Sequence, residues 1–164
     1  MRIIKLLIVL VFIQFHPAAY EKAMATELLL AEVASKNIDP SAYLVSEKLD
    51  GVRAIWNGKD LRFRSGNIVP APAWFIAALP NSALDGELWL ARGQFEALSG
   101  MVRTYPPDDQ DWRQIQYQVF ELPNAAGTFA QRYQRLQEIV AATKFAQLHV
   151  IAQKQLLSNV QLRE

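Results

Sequence analysis

The run "YLVSEKLDGVRAIW" sets two apolar segments, rich in β-branched and aromatic residues, around a polar insert. Residues 43–47 and 52–56 read as strands. Asn57-Gly58 is a hairpin signal, and residues 61–64 form the returning strand. Pro70 and Pro72 punctuate a loop, after which residues 73–79 predict a short helix. Residues 84–90, "LDGELWL", read as a second strand carrying a polar insert. Residues 94–102 predict a helix, with Phe95, Leu98 and Met101 or Val102 on one face. Residues 105–111, "YPPDDQD", form a loop, and residues 115–122 alternate like a strand. Residues 129–142 predict an amphipathic helix with Tyr133, Leu136 and Ile139 or Val140 inward. Residues 149–152 read as a strand and residues 154–163 as the start of a helix. Earlier in the chain, residues 37–41 form a turn, and residues 26–35 are a short apolar stretch, either helix or extended lead-in. There is no internal repeat. Hairpins mixed with helices predict an α+β domain with antiparallel sheets.

The first 15 residues, "MRIIKLLIVLVFIQF", follow a different logic. Arg2 and Lys5 precede a nearly unbroken apolar run, and Ala23-Met24-Ala25 matches a small-x-small cleavage site, with Ala18-Ala19 as a second candidate. Residues 1–25 therefore read as a secretory signal peptide and are set apart from the fold. The apolar run is short for a membrane span, so no stable membrane association is expected after cleavage. Residues 26–164 are enough for one domain of ordinary size. The chain's 17 basic and 16 acidic groups include Arg2, Lys5, Lys22 and Glu21; without these, 14 basic and 15 acidic groups remain, a net charge of −1. Such a balance carries no electrostatic footprint for nucleic acid by itself. The chain has no cysteine, which excludes disulfides and thiolate metal sites. His149 has no second histidine beyond residue 25 to accompany it and reads as structural.

The two polar inserts on strands are where chemistry is expected. In "KLDGVR", a lysine amine is a nucleophile only when neutral, and a strand-lined site that desolvates Lys48 would favour that form. Gly51 lets the backbone turn and approach a ligand closely. Arg53 can clamp a phosphate or a carboxylate. A surface hairpin with a solvated Lys48–Asp50 pair would give the same six residues. By themselves, Glu87 reads as a solvated strand residue and Phe120 as part of a core.

The set reads differently. "KLDGVR" resembles the K-x-D-G-x-R motif of the covalent nucleotidyltransferases, which comprise DNA ligases, RNA ligases and mRNA capping enzymes. "RFRSG" (residues 62–66), "LDGELW" (84–89) and "YQVFELP" (117–123) resemble the next motifs in order, with Glu121 where the family more often has aspartate. "SEKLDGVRAIWNGKDL", "SGNIVPAPAWF" and "FEALSGMVR" resemble in wording the minimal ATP-dependent DNA ligases exported to the periplasm of Gram-negative bacteria. That resemblance runs from about residue 26 to the end.

It implies the nucleotidyltransferase (adenylation) domain of DNA ligases and a periplasmic, monomeric protein. It implies ATP and Mg²⁺ or Mn²⁺ as cofactors and nicked double-stranded DNA as substrate. Lys48 would take AMP from ATP and pass it to the 5′-phosphate of the nick. Asp50 and Arg53 would support Lys48 in catalysis. Glu47, Lys48, Arg53, Arg64, Glu87 and Phe120 would bind ATP, with Glu87 on the ribose and Phe120 stacked on the adenine. The family's later E-G-x-x-x-R and K-x-K segments and its OB-type domain find no counterpart here, so a truncated and impaired ligase is expected. A sister RNA ligase or guanylyltransferase would be separated by competition between ATP and GTP. A non-catalytic nucleotide- or DNA-binding remnant would bind without a covalent adduct, and an inert exported domain would bind nothing.

Overall fold

The computed structural model describes residue 33 and residues 38–161. The signal-peptide reading, nearly all of the 26–35 stretch and the last three residues lie outside them. A 3-10 turn, Pro40–Ala42, leads into β1 (Leu44–Val45). β2 (Val52–Trp56), β3 (Leu61–Phe63) and α1 (Ala73–Ala77) follow, then β4 (Leu84–Trp89), α2 (Phe95–Met101) and α3 (Asp109–Trp112). β5 (Gln116–Glu121), α4 (Phe129–Thr143), β6 (Leu148–Val150) and β7 (Lys154–Gln155) complete the described chain.

Five strands form one sheet in the order β3-β2-β4-β5-β6, and β1 pairs with β7 in a separate ribbon. All pairs are antiparallel except β5 with β6. The expected α+β fold with antiparallel sheets is observed, with this one parallel pair added at the β6 edge. Its cause is α4, a 15-residue crossover helix that returns the chain to the same end of the sheet. A capping box starts α4: the Gln131 N–H donates to Thr128 Oγ1 at 3.3 Å and the Thr128 N–H to Gln131 Oε1 at 2.9 Å.

The β2–β3 turn follows its sequence. Asn57 Oδ1 accepts from the N–H groups of Lys59 and Asp60 at 2.9 and 2.7 Å, and Gly58 takes a positive φ of 94°. Alternation then sorts the two faces of the sheet. Val52, Ala54, Trp56, Leu84, Leu88, Tyr117 and Val119 face a core completed by Phe75, Leu98, Trp112 and Leu136 from the four helices. Phe75 anchors an edge-to-face aromatic group, 4.8 Å from Trp112 and 5.3 Å from Phe145. Burial holds the Tyr117 hydroxyl neutral, with a pKa well above the ordinary tyrosine value, and it lies 2.8 Å from the Ala54 carbonyl and 3.1 Å from that of Leu84.

Two local expectations fail. The segment 105–111 was expected to be loop throughout, yet α3 begins at Asp109. Asp108 caps it by accepting from the N–H groups of Gln110 and Asp111 at 2.7 and 3.1 Å, and Trp112 buries fully behind it. The expected helix from residue 154 is instead β7, with Lys154 opposite Val45 and Gln155 opposite Leu44. Backbone pairing with a segment some hundred residues away overrides the local pattern there.

Candidate active site

The sheet face opposite the core carries the unusual residues. Arg53, Glu87, Gln118 and His149 are successive cross-strand partners on β2, β4, β5 and β6, so all four share that face. Arg53 grips Asp85 with two hydrogen bonds, Nε to Oδ1 at 3.0 Å and Nη2 to Oδ2 at 2.6 Å. The Asp85 side chain is 1% exposed and that of Arg53 17%. The hydrogen bond to Asp85 raises the Arg53 pKa above its ordinary value, so the guanidinium is always charged. Its central carbon lies 5.5 Å from the centroid of the Phe120 ring, a cation–π contact. Phe120 is half-buried, at the β-bulge where the β4–β5 register shifts beside Asp85 and Gly86.

Glu87 is half-buried beside Arg53. Burial pushes its pKa up; the Gly51 N–H that it accepts and the charges of Lys48 and Arg53 pull the other way. The chain reaches Glu87 this closely because residue 51 is glycine. A Cβ there would lie 2.3 Å from the Leu88 carbonyl oxygen and 2.6 Å from Glu87 Cγ. Gly86 has a packing reason of its own, since a Cβ would lie 2.6 Å from the Gln118 carbonyl and 2.9 Å from the Tyr117 ring.

Residues 46–50 form an irregular loop before β2. Glu47, Lys48 and Asp50 are all exposed. The expectation that strands desolvate Lys48 therefore fails: the side chain is exposed, and its charge acts on Glu87. Glu47 is committed to a bidentate ion pair with Arg92, both contacts at 2.8 Å. Asp50 is in no ion pair among the described residues. The loop separates two clefts. One, of about 660 Å³, is lined by Glu47, Leu49, Trp89, Gln118 and Ile151 among others. The other, of about 630 Å³, includes Gly51, Arg53 and Arg64. Arg64 is exposed in the turn after β3. Thus Arg53, Glu87 and Phe120 come together, Lys48 acts on Glu87 by its charge, and Arg64 shares a cleft with Arg53.

Sequence reasoning missed Asp85 as the partner of Arg53; its place two residues before Glu87, on the same strand face, was the available signal. It also missed Gln118, two residues before Phe120. Glu121 does not face this site. It is buried and paired with Arg132 of α4 at 2.6 and 2.8 Å. Among the described residues no three His, Asp or Glu side chains stand together as a metal site.

This arrangement has known counterparts. The chain is 35% identical over 122 residues to a DNA ligase of Haemophilus influenzae, covering 74% of this chain and 44% of that protein. The chain is homologous to DNA ligases. Its fold is that of a ligase adenylation domain. A solved Lig E DNA ligase matches with a TM-score of 0.72 and 40% identity, over 77% of this chain and 50% of that one. The Chlorella virus DNA ligase–adenylate matches with a TM-score of 0.61 at 15% identity, over 79% of this chain and 51% of that one. The ATP-dependent ligase of bacteriophage T7, solved with ATP, matches with a TM-score of 0.52 at 15% identity, over 72% and 50%. The last two establish the fold alone. No family model matches the chain. The chain spans about half the length of the ligases it matches.

Proposed function

We propose that this chain carries the nucleotide-accepting part of an ATP-dependent DNA ligase, with Lys48 as its nucleophile. The observation that carries the reading is the sheet face itself. A charged guanidinium, a half-buried carboxylate and an aromatic ring converge on it, and the lysine loop ends at its rim. Phe120 offers a π-face for a purine. Glu87 offers acceptors for ribose hydroxyls. Lys48, Arg53 and Arg64 are the cations available to phosphate oxygens. The residues present fit ATP in kind.

In the first step the neutral Lys48 amine attacks the α-phosphorus. A P–N bond forms, the P–O bond to the departing pyrophosphate breaks, and the nitrogen gives its extra proton to solvent. The protein's part is positioning and neutralising charge. A divalent cation, Mg²⁺ or Mn²⁺, would screen the triphosphate, but the described residues supply no ligand cluster for it. AMP on Lys48 then passes to the 5′-phosphate of nicked double-stranded DNA, and the 3′-hydroxyl displaces it. The "MRIIKLLIVLVFIQF" leader supports export to a periplasm, followed by release of a monomer from the membrane.

The test is incubation of the chain with α-labelled ATP and Mg²⁺, denaturation, and detection of label on protein. Label present in the wild type and absent from Lys48→Ala is expected. A folded wild-type chain with no label, or with label that survives Lys48→Ala, refutes the reading.

A further inference from the structure

Residues 46–50 span the gap between two sheets. Val45 before them pairs with Lys154 in the β1–β7 ribbon, and Val52 after them pairs with Leu88 in the five-stranded sheet. None of the five belongs to a strand or a helix, so regular backbone pairing does not fix where Lys48 stands. Side chains reach the loop instead. At its end the Gly51 N–H donates to Glu87. One residue before Lys48, Arg92 grips Glu47, Nε donating to Oε1 and Nη2 to Oε2, both at 2.8 Å.

Arg92 sits on a firm base. It follows β4, whose Leu88 is fully buried, and lies in a tight turn closed by the Gln94 N–H donating to the Ala91 carbonyl at 3.2 Å. Gly93 supplies a positive φ of 71° at the third position of that turn, where glycine is favoured. α2 starts immediately afterwards, anchored by the buried Leu98. The guanidinium thus extends from the packed part of the domain to the irregular part. The pair is open to solvent, with Arg92 79% and Glu47 50% exposed, so it adds little to overall stability. Its parallel double contact nevertheless sets direction as well as distance. Each Glu47 oxygen already accepts from Arg92, which makes Glu47 a handle on the loop rather than a direct contact to ATP.

We propose that Arg92 is a positioning residue for Lys48: by gripping Glu47 it ties the lysine loop to the turn after β4 and so sets the amine for attack on phosphorus. The proposal rests on the reading of Lys48 as nucleophile. Such an attack is sensitive to a misplacement of about 1 Å, so a contact that adds little to stability can carry a large share of the rate.

The experiment makes two measurements on the 164-residue chain, for wild type, Arg92→Gln, Arg92→Lys, Glu47→Gln and the double variant Glu47→Gln with Arg92→Gln. Arg113→Gln, at an exposed arginine closing α3, is the control. One measurement is the rate of Lys48 labelling by α-labelled ATP over a range of ATP concentrations. The other is hydrogen exchange of the Gly51 amide by NMR, which reports the seating of the loop without ATP or catalysis. Arg92→Gln is expected to lower the maximal labelling rate about tenfold and to leave half-saturating ATP within about twofold of wild type. It should speed Gly51 exchange about threefold and move Tm by less than about 3 °C. Arg92→Lys, which keeps the charge but not the fork, should recover part of the rate. The double variant should lose no more than either single one, because one shared contact is lost once. Arg113→Gln should match wild type. An unchanged maximal rate or unchanged Gly51 exchange in Arg92→Gln overturns the proposal. Losses that multiply in the double variant also overturn it, as does half-saturating ATP raised about tenfold, which would put Arg92 or Glu47 on the nucleotide itself. The two readings fail separately. Arg92-dependent Gly51 exchange in a wild-type chain that takes no label supports the grip and refutes covalent transfer; label on Lys48 that Arg92→Gln leaves at full rate refutes only the positioning role.

Discussion

Removing the Asp85 charge tests whether the fold and the site share one support. In Asp85→Asn the shape is nearly unchanged, but Arg53 loses the carboxylate it holds at 2.6 and 3.0 Å. Its guanidinium stays 17% exposed, too enclosed for water to replace the lost partner fully. Breaking a buried ion pair from one side costs about 3–5 kcal/mol; partial exposure of Arg53 places the expected loss near the lower end, about 3 kcal/mol. For a domain of this size that is a fall in Tm on the order of 10 °C. The contrasting pair is Asp60–Arg62, with side chains 30% and 40% exposed, where Asp60→Asn should cost less than about 1 kcal/mol. Urea denaturation of both variants gives the comparison. Adding Arg53→Met to Asp85→Asn should restore part of the loss, because the guanidinium that lost its carboxylate is then removed as well. An Asp85→Asn variant within about 1 kcal/mol of wild type, or no more affected than Asp60→Asn, would refute the idea that this pair is a buried brace.

Two further outcomes follow from the same face. Gly51→Ala should destabilise by about 1–3 kcal/mol, because the added Cβ meets backbone oxygen at 2.3 Å, and it should abolish Lys48 labelling through displacement of the loop; a stable, labelling variant would contradict the close approach. Glu87 gives a pH signature. Its folded pKa is raised, mainly by burial, so the folded state holds the proton more tightly than the unfolded one. Stability is therefore highest below the unfolded value near 4.5 and is lost as pH rises from there through the folded value. Glu87→Gln should flatten that fall in a series of melting temperatures against pH, and an unchanged profile would count against a desolvated Glu87.

The bounds of β2, and nearly those of α4 and β5, were legible because periodicity there is strong and local: alternation in "VRAIW" and "YQVFE", helical spacing in "RYQRLQEIV". The resemblance of the motifs also pointed to Lys48, Arg53, Glu87 and Phe120, and three of these four share one sheet face. The sequence alone thus determined the class of fold, the main elements and which residue types were available for chemistry. Tertiary structure decided the rest. It made β6 parallel to β5 and turned an expected helix into β7, because strand partners distant in sequence, such as Val45 for Lys154, leave no local trace. It gave Arg53 to Asp85 and Glu47 to Arg92, pairings set by cross-strand register and loop position rather than spacing. It left Lys48 exposed at the rim where desolvation was expected, since burial is a property of what packs around a residue.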